Sequence, residues 1–204
     1  MTELIIAAYN RNYKEWVDKV SPNVKITVYR KGENLNNEEF FIEENLGRDV
    51  HTFFYHIVKN YNTLSDFTIT SQDYPFDHIH NYVDIINGDI TTWSNNAKHF
   101  FSKCWFFCTQ YPILLCDKMG SPAHPGLDIE SVWNELFEEI CPTTISFTPS
   151  GHFCISKEDI RNRPLNFYKK IIEILETNPK SPWIIERLES YIFNPEYRIK
   201  ENLL

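Results

Sequence analysis

Hydrophobic residues fall along the chain first in short solid or alternating runs and then at helical spacing, and the two patterns interleave. Residues 4–8 (LIIAA) form a solid apolar run, the signature of a strand buried on both faces. Residues 24–29 (VKITVY) alternate well enough for a second strand, which Arg30, Lys31 and Gly32 then turn away. Residues 67–70 (FTIT) make a third, β-branched and aromatic strand, and residues 113–116, 144–147 and 153–156 are further candidates. Residues 83–86 close a turn and residues 90–93 read as a short edge strand. Helical spacing appears at 13–20, at 53–61, and in the aromatic stretch 97–111 with Phe100, Phe101, Trp105, Phe106 and Phe107. It returns at 129–139, where Val132, Trp133, Leu136 and Phe137 share an apolar side, and at 165–176 behind Pro164. Residues 182–192 close the series, with Trp183, Ile184, Ile185, Leu188 and Ile192 inward and Arg187 and Glu189 outward. Ser156 and Asp159 resemble a capping box, with Asp in place of the usual Glu or Gln. A polar loop carrying Asn34, Asn36 and Asn37 is expected to be exposed, and the charged residues 194–204 read as a terminal tail. Strands alternating with helices predict one α/β domain, a mixed and mainly parallel sheet flanked by helices.

The polar residues concentrate where strands end. The stretch 67–80 (FTITSQDYPFDHIH) runs from a strand into Asp73, Asp77, His78 and His80, with Pro75 barring any simple continuation. Carboxylates delivered at the carboxyl end of a strand lie where open α/β sheets bind ligands. They either hold a hard divalent cation, Mg²⁺ or Mn²⁺, together with a substrate's phosphates, or cap the turn and the helix after it. The first strand likewise ends in Tyr9, Asn10, Arg11 and Asn12, a ring and amides suited to a base and ribose, though Asn10 and Asn12 also suit a helix cap. Gly47 leads into a helix whose open N–H groups, with Arg48 beside them, suit an anion such as a pyrophosphate; Asp49 as a cap and Arg48 in solvent is the other reading. His51 and His56, five apart, share no helical face and so do not form a joint metal site. The breaker-rich segment 120–126 (GSPAHPG) is either a lid or acceptor-side loop or a plain connection.

The 204 residues can bury one full core, and 42% hydrophobic with 15% aromatic residues exclude a disordered chain. A net charge of −8 provides no positive field for nonspecific nucleic-acid binding. No apolar run approaches the roughly 18 residues of a membrane span, and MTELIIAAYN lacks the marks of a signal peptide. These features predict a soluble, cytoplasmic protein. Cys104, Cys108, Cys116, Cys141 and Cys154 include no CxxC pair and are odd in number, which predicts reduced, buried thiols. There is no internal repeat, P-loop or GxGxxG.

Four blocks carry a resemblance: GRDVHTFFYHI, FTITSQDYPFDH, GHFCISKEDIRNRPLNFY and ERLESYIF. In their order they resemble the DUF3431 family and the small glycosyltransferase domains encoded by large algal (chlorella) viruses. The succession of a contact loop, a second strand, an arginine at a helix start and a strand ending in Asp is similar to GT-A nucleotide-sugar glycosyltransferases. That resemblance implies a GT-A-like, Rossmann-like domain that moves a hexose or deoxyhexose from a UDP-sugar to a glycan or glycoprotein hydroxyl, as in viral capsid glycan synthesis in the host cytoplasm. It implies that Ala8, Tyr9 and Asn10 contact the uridine and that Arg48 approaches the ribose or diphosphate. Asp73 falls where the last Asp of the metal motif stands, and Asp77 supplies a second oxygen to Mn²⁺ or Mg²⁺. Ser71-Gln72-Asp73 lacks the motif's first Asp, however. His152, where relatives often carry Gln, becomes a third ligand, with His78 as the alternative. If the reaction inverts, Asp128 or Glu186 is the base; Asp128 also suits a helix cap, and Glu186 a surface pair with an arginine. A metal-dependent phosphohydrolase and a carbohydrate-binding module are the rival readings. The first calls for more closely grouped histidines, and the second accounts only for the aromatics.

Overall fold

The computed structural model describes residues 1–32, 40–42, 45–108 and 111–194; the Asn34–Asn36–Asn37 loop and the tail after 194 lie outside these. The main sheet has seven strands: β1 (Thr2–Ala8), β2 (Val24–Lys31), β3 (Phe40–Ile42), β4 (Phe67–Gln72), β5 (His99–Phe101), β6 (Cys104–Phe106) and β9 (Phe153–Ser156). Their spatial order is β3-β2-β1-β4-β9-β6-β5. β1 pairs in parallel with β2 on one side, Leu4 opposite Ile26, and with β4 on the other, Leu4 opposite Ile69. β9 returns antiparallel beside β4, and β6 and β5 alternate beyond it, so five of the seven strands share one direction. A separate hairpin joins β7 (Leu114–Cys116) to β8 (Ile145–Phe147). The architecture is thus a mixed, mostly parallel sheet with helices, as the interleaved pattern predicts.

The solid run of β1 has a direct explanation. Leu4, Ile6 and Ala8 enter one hydrophobic cluster, with Trp16, Ile69, Tyr82, Trp93 and Trp105, while Ile5 and Ala7 enter the other. Successive side chains point to opposite faces, so a strand covered on both faces needs apolar residues throughout. The first cluster packs under α1 (Lys14–Val17), α3 (Tyr82–Ile86) and α4 (Ile90–Asn96). The second packs under α2 (Arg48–Asn60), α5 (Ile129–Leu136), α7 (Leu165–Thr177) and α8 (Ser181–Phe193). α6 (Lys157–Arg161) follows β9, and the Ser156 hydroxyl accepts from Asp159 N–H at its start, as the cap signature predicts.

Several elements differ from the sequence expectation. Within the aromatic stretch 97–111, residues 99–106 form the β5–β6 hairpin rather than a helix. Its turn at Ser102 (φ 47°) is held by Asp159, which accepts from the Ser102 hydroxyl at 2.9 Å and from Lys103 N–H at 2.8 Å. Aromatic residues favour a strand once a partner is present, and β9 supplies one. Residues 90–93 open a helix, because Asp89 accepts from the N–H groups of Thr91 and Thr92. Residues 83–86 belong to a helix too. Arg30 and Lys31 continue β2 and are buried instead of turning the chain away. The first helix is one turn, Lys14–Val17. Arg187 and Glu189 on α8 are 3% and 1% exposed, because this helix is enclosed all round. All five cysteines are free and buried. Among the described residues no helix is long and apolar enough to cross a membrane.

Candidate functional site

The chain leaves β1 towards β2 and β3 on one side and comes back to β4 on the other. The carboxyl ends of β1 and β4 therefore flank a topological switch point, where the two connections diverge and leave a crevice. A cavity of about 420 Å³ opens there. Ala7 to Arg11 line it from the end of β1, Gln72, Asp73, Tyr74 and Asp77 from the end of β4, and Lys31, Asn45, Arg48 and Asp49 close the third side.

Asp73 organises the floor. Its Oδ2 accepts from three consecutive backbone N–H groups, those of Tyr9 (3.1 Å), Asn10 (3.1 Å) and Arg11 (2.9 Å). The carboxylate satisfies a nest of donors and ties the β1 loop to β4. Trp16 Nε1 donates to the Asp73 carbonyl at 2.8 Å and fixes the same turn from below. Arg11 Nη2 lies 3.4 Å from Asp77 Oδ2, and its guanidinium stands 4.8 Å from the Tyr74 ring centre. Among the described residues no hydrogen bond reaches Oδ1 of Asp73 or of Asp77. Tyr9 and Asn10 are exposed at the mouth; Ala8 sends its methyl into the core and offers only backbone.

The third side is the start of α2. Gly47 has φ 62° and Arg48 φ 53°, two left-handed residues in succession. A Cβ at Gly47 would lie 2.6 Å from His51 Cβ and 3.1 Å from Leu175 Cβ, so no side chain fits. Lys31 Nζ donates to the carbonyls of Leu46 (2.6 Å) and Arg48 (2.5 Å), and burial pulls its pKa down to about 8 against the pull of Asp49 and Glu176. Arg48 extends over the Trp183 ring at 5.3 Å. The first-turn N–H groups of α2 and the cations Arg11, Lys31 and Arg48 thus surround one space beside the carboxylates.

Arg48, Asp49 and Gln72 also line an adjoining cavity of about 270 Å³, with His78, Pro149, Ser150, Trp183 and Glu186. Gln72 Nε2 donates to Asp49 Oδ2 at 2.7 Å across the boundary. Glu186 is 19% exposed; its Oε1 accepts from Ser150 N–H at 2.8 Å and Arg187 Nη1 lies 3.3 Å from Oε2. Burial raises its pKa above the usual carboxylate value. One turn on, Glu189 is held much further above that range, by burial first and then by Glu186 and Asp49. Neither of its oxygens has a partner among the described residues. Gly151 (φ 62°) separates these acids: a Cβ there would sit 3.8 Å from Asp49 Oδ2 and 4.0 Å from Glu189 Oε1.

The structure brings Ala8, Tyr9, Asn10, Arg48, Asp73 and Asp77 to one cavity and Glu186 to the next. His152 lines neither. It is 1% exposed, packed on Tyr82 (5.4 Å between ring centres) and His78 (5.7 Å), with a pKa pushed down to about 3 by burial and then by His78. Asp128 lines neither cavity and caps α5, accepting from Ser131 N–H at 3.1 Å. Among the described residues no three His, Cys, Asp or Glu side chains are grouped so as to hold a metal ion. The sequence reading did not single out Lys31 and Glu189 for this site. Neither has a local signal, since each is a charged residue where a turn or an outward helix face is the ordinary expectation.

A family model described as "Protein of unknown function (DUF3431)" matches residues 4–100, which hold most of β1, all of β2, β3 and β4, and every residue lining the first cavity. No curated protein and no solved structure matches the chain.

Proposed function

We propose that the protein is a GT-A-like glycosyltransferase that takes a UDP-sugar in the first cavity and passes a hexose or deoxyhexose to a glycan hydroxyl in the second. The observation that carries this reading is the crevice between β1 and β4, where Arg11, Arg48 and the start of α2 converge beside Asp73 and Asp77. Such a space suits a group that is both anionic and hydrogen-bonding, as a nucleoside diphosphate is. Tyr9 and Asn10 at the mouth offer a ring face and an amide to the base and ribose, and Arg48 with the α2 N–H groups faces the diphosphate.

Asp73 and Asp77 would hold a Mn²⁺ or Mg²⁺ ion together with the substrate's phosphates, because each carboxylate keeps an oxygen without a hydrogen bond among the described residues and such ions are commonly bound by one or two carboxylates plus phosphates. Such an ion, when bound, would supply positive charge against the diphosphate that departs. Arg48 does the same from the protein side. Glu186, whose raised pKa makes it a stronger base than an ordinary carboxylate, receives the acceptor's proton. The bond between the anomeric carbon and the phosphate oxygen breaks as the acceptor oxygen bonds to that carbon, and UDP leaves with the electron pair. Asp128, engaged as a helix cap and outside both cavities, has no part in this scheme.

Titration calorimetry of UDP, GDP and CMP, with and without Mn²⁺, on the wild type and Asp73→Asn tests the donor site. The amide keeps an oxygen acceptor for the three N–H groups while removing the charge. UDP binding that strengthens with Mn²⁺, and loses that dependence in the variant, is the expected result. Absence of nucleotide binding under every metal condition overturns the donor-site reading.

A further inference from the structure

Resting on the reading of the first cavity as a diphosphate site, we propose that Lys31 is a positioning residue: its ammonium clamps the Gly47–Arg48 turn and so aims the Arg48 guanidinium at the junction of the two cavities. A lysine that is 2% exposed calls for a reason, since the charged end is seldom buried unpaired. Here the ammonium is spent on the carbonyls of Leu46 and Arg48, which flank Gly47. Between those carbonyls lie the two left-handed residues, and one of them is not glycine. Left-handed backbone is unfavourable for an arginine, and such strain persists only where the surroundings over-determine it. Lys31 supplies that determination from the end of β2, and the Cβ-free Gly47 lets α2 and α7 close behind it.

The consequence is the position of Arg48. It stacks over Trp183 and belongs to both cavities. Relaxing φ from 53° to the right-handed region near about −63° would redirect the side chain away from that junction. The charged groups facing Lys31 are Asp49 on the first turn of α2 and Glu176 on α7, with His51, itself 3.2 Å from Glu176 Oε1, on the next turn. Both carboxylates favour the ammonium, and burial opposes it more strongly. The ammonium is therefore charged at neutral pH, and the two carbonyl bonds lose their charge assistance and weaken as pH passes about 8.

Two measurements test this. The first compares UDP and uridine affinities for wild type, Lys31→Met, Arg48→Ala and the double variant. Lys31→Met is expected to weaken UDP by about tenfold, the scale of one charge-assisted phosphate contact, to leave uridine unchanged, and to have no further effect in the Arg48→Ala background. Additive losses would mean that Lys31 meets the phosphate itself, and an equal loss for uridine would mean a general structural role; either overturns the proposal. The second needs no ligand: tryptophan fluorescence is followed against pH, with Trp183→Phe subtracted. A transition near pH 8, absent from Lys31→Met and from Arg48→Ala, is expected. Its persistence in Lys31→Met overturns the clamp. If the wild type binds no nucleotide, the donor reading fails and this transition still decides the role of Lys31.

Discussion

Glu189→Gln should remove a pH-dependent cost of folding. Glu189 is buried, unpartnered among the described residues, and burial raises its folded pKa well above the ordinary carboxylate value. For an acid with a raised folded pKa, the stability it contributes is present at low pH and is lost as pH rises above the unfolded value. The unfolded chain gains by ionising while the folded carboxyl holds its proton. That loss amounts to at most about 1.4 kcal/mol per pH unit, for as long as the folded group stays protonated. Glutamine has the same shape and ionises in neither state, so this slope disappears. For a chain of this size each such pH unit corresponds to roughly 3–6 °C in Tm at most. His152, with a folded pKa of about 3, and His56 and His99, each at about 4, act in the opposite direction. They are neutral in the fold, so their contribution is present above pH 6.5 and is lost as the unfolded chain takes up protons below it. Because both proteins carry these histidines, they cancel in the difference. Urea or thermal unfolding of both proteins from pH 4.5 to 7 is the assay. Stability curves that stay parallel across that range would refute the argument that Glu189 is protonated in the fold.

Other consequences are simpler to measure. Asp73→Ala leaves three N–H groups of the β1 loop without their acceptor and should cost about 1–3 kcal/mol in urea unfolding, with Asp73→Asn costing clearly less. Gly47→Ala should cost at least about 1 kcal/mol from its left-handed φ, and more because the new Cβ meets His51 and Leu175; wild-type stability would contradict the packing around the start of α2. Under the proposed function, Glu186→Gln should slow sugar transfer by about 100-fold or more while UDP affinity, read by calorimetry, stays at the wild-type value. A fully active variant would remove Glu186 from the scheme.

The sequence by itself determined the parts that rest on local pattern. β1, β4, β9, α7 and α8 follow from apolar period and breakers, and Asp73 could be placed at the end of β4 because a strand run stops there and Pro75 follows. Gly47 before Arg48 was visible as a helix start, because glycine breaks the preceding run. Pairing was not local. Residues 99–106 are a hairpin only because β9 lies beside them and Asp159, more than fifty residues away, holds the turn. That Asp73 binds the three N–H groups after β1 depends on two strands 65 residues apart in sequence being neighbours in the sheet. Burial of Lys31 and Glu189 could not be read from composition, because a charge inside the protein is decided by which helices close over it. α2 and α7 close over Lys31 and α2 faces Glu189 on α8, so the tertiary structure decides which charges are buried: a carboxylate tethered to a loop, a lysine bonded to the backbone of Arg48, and an acid whose pKa burial raises.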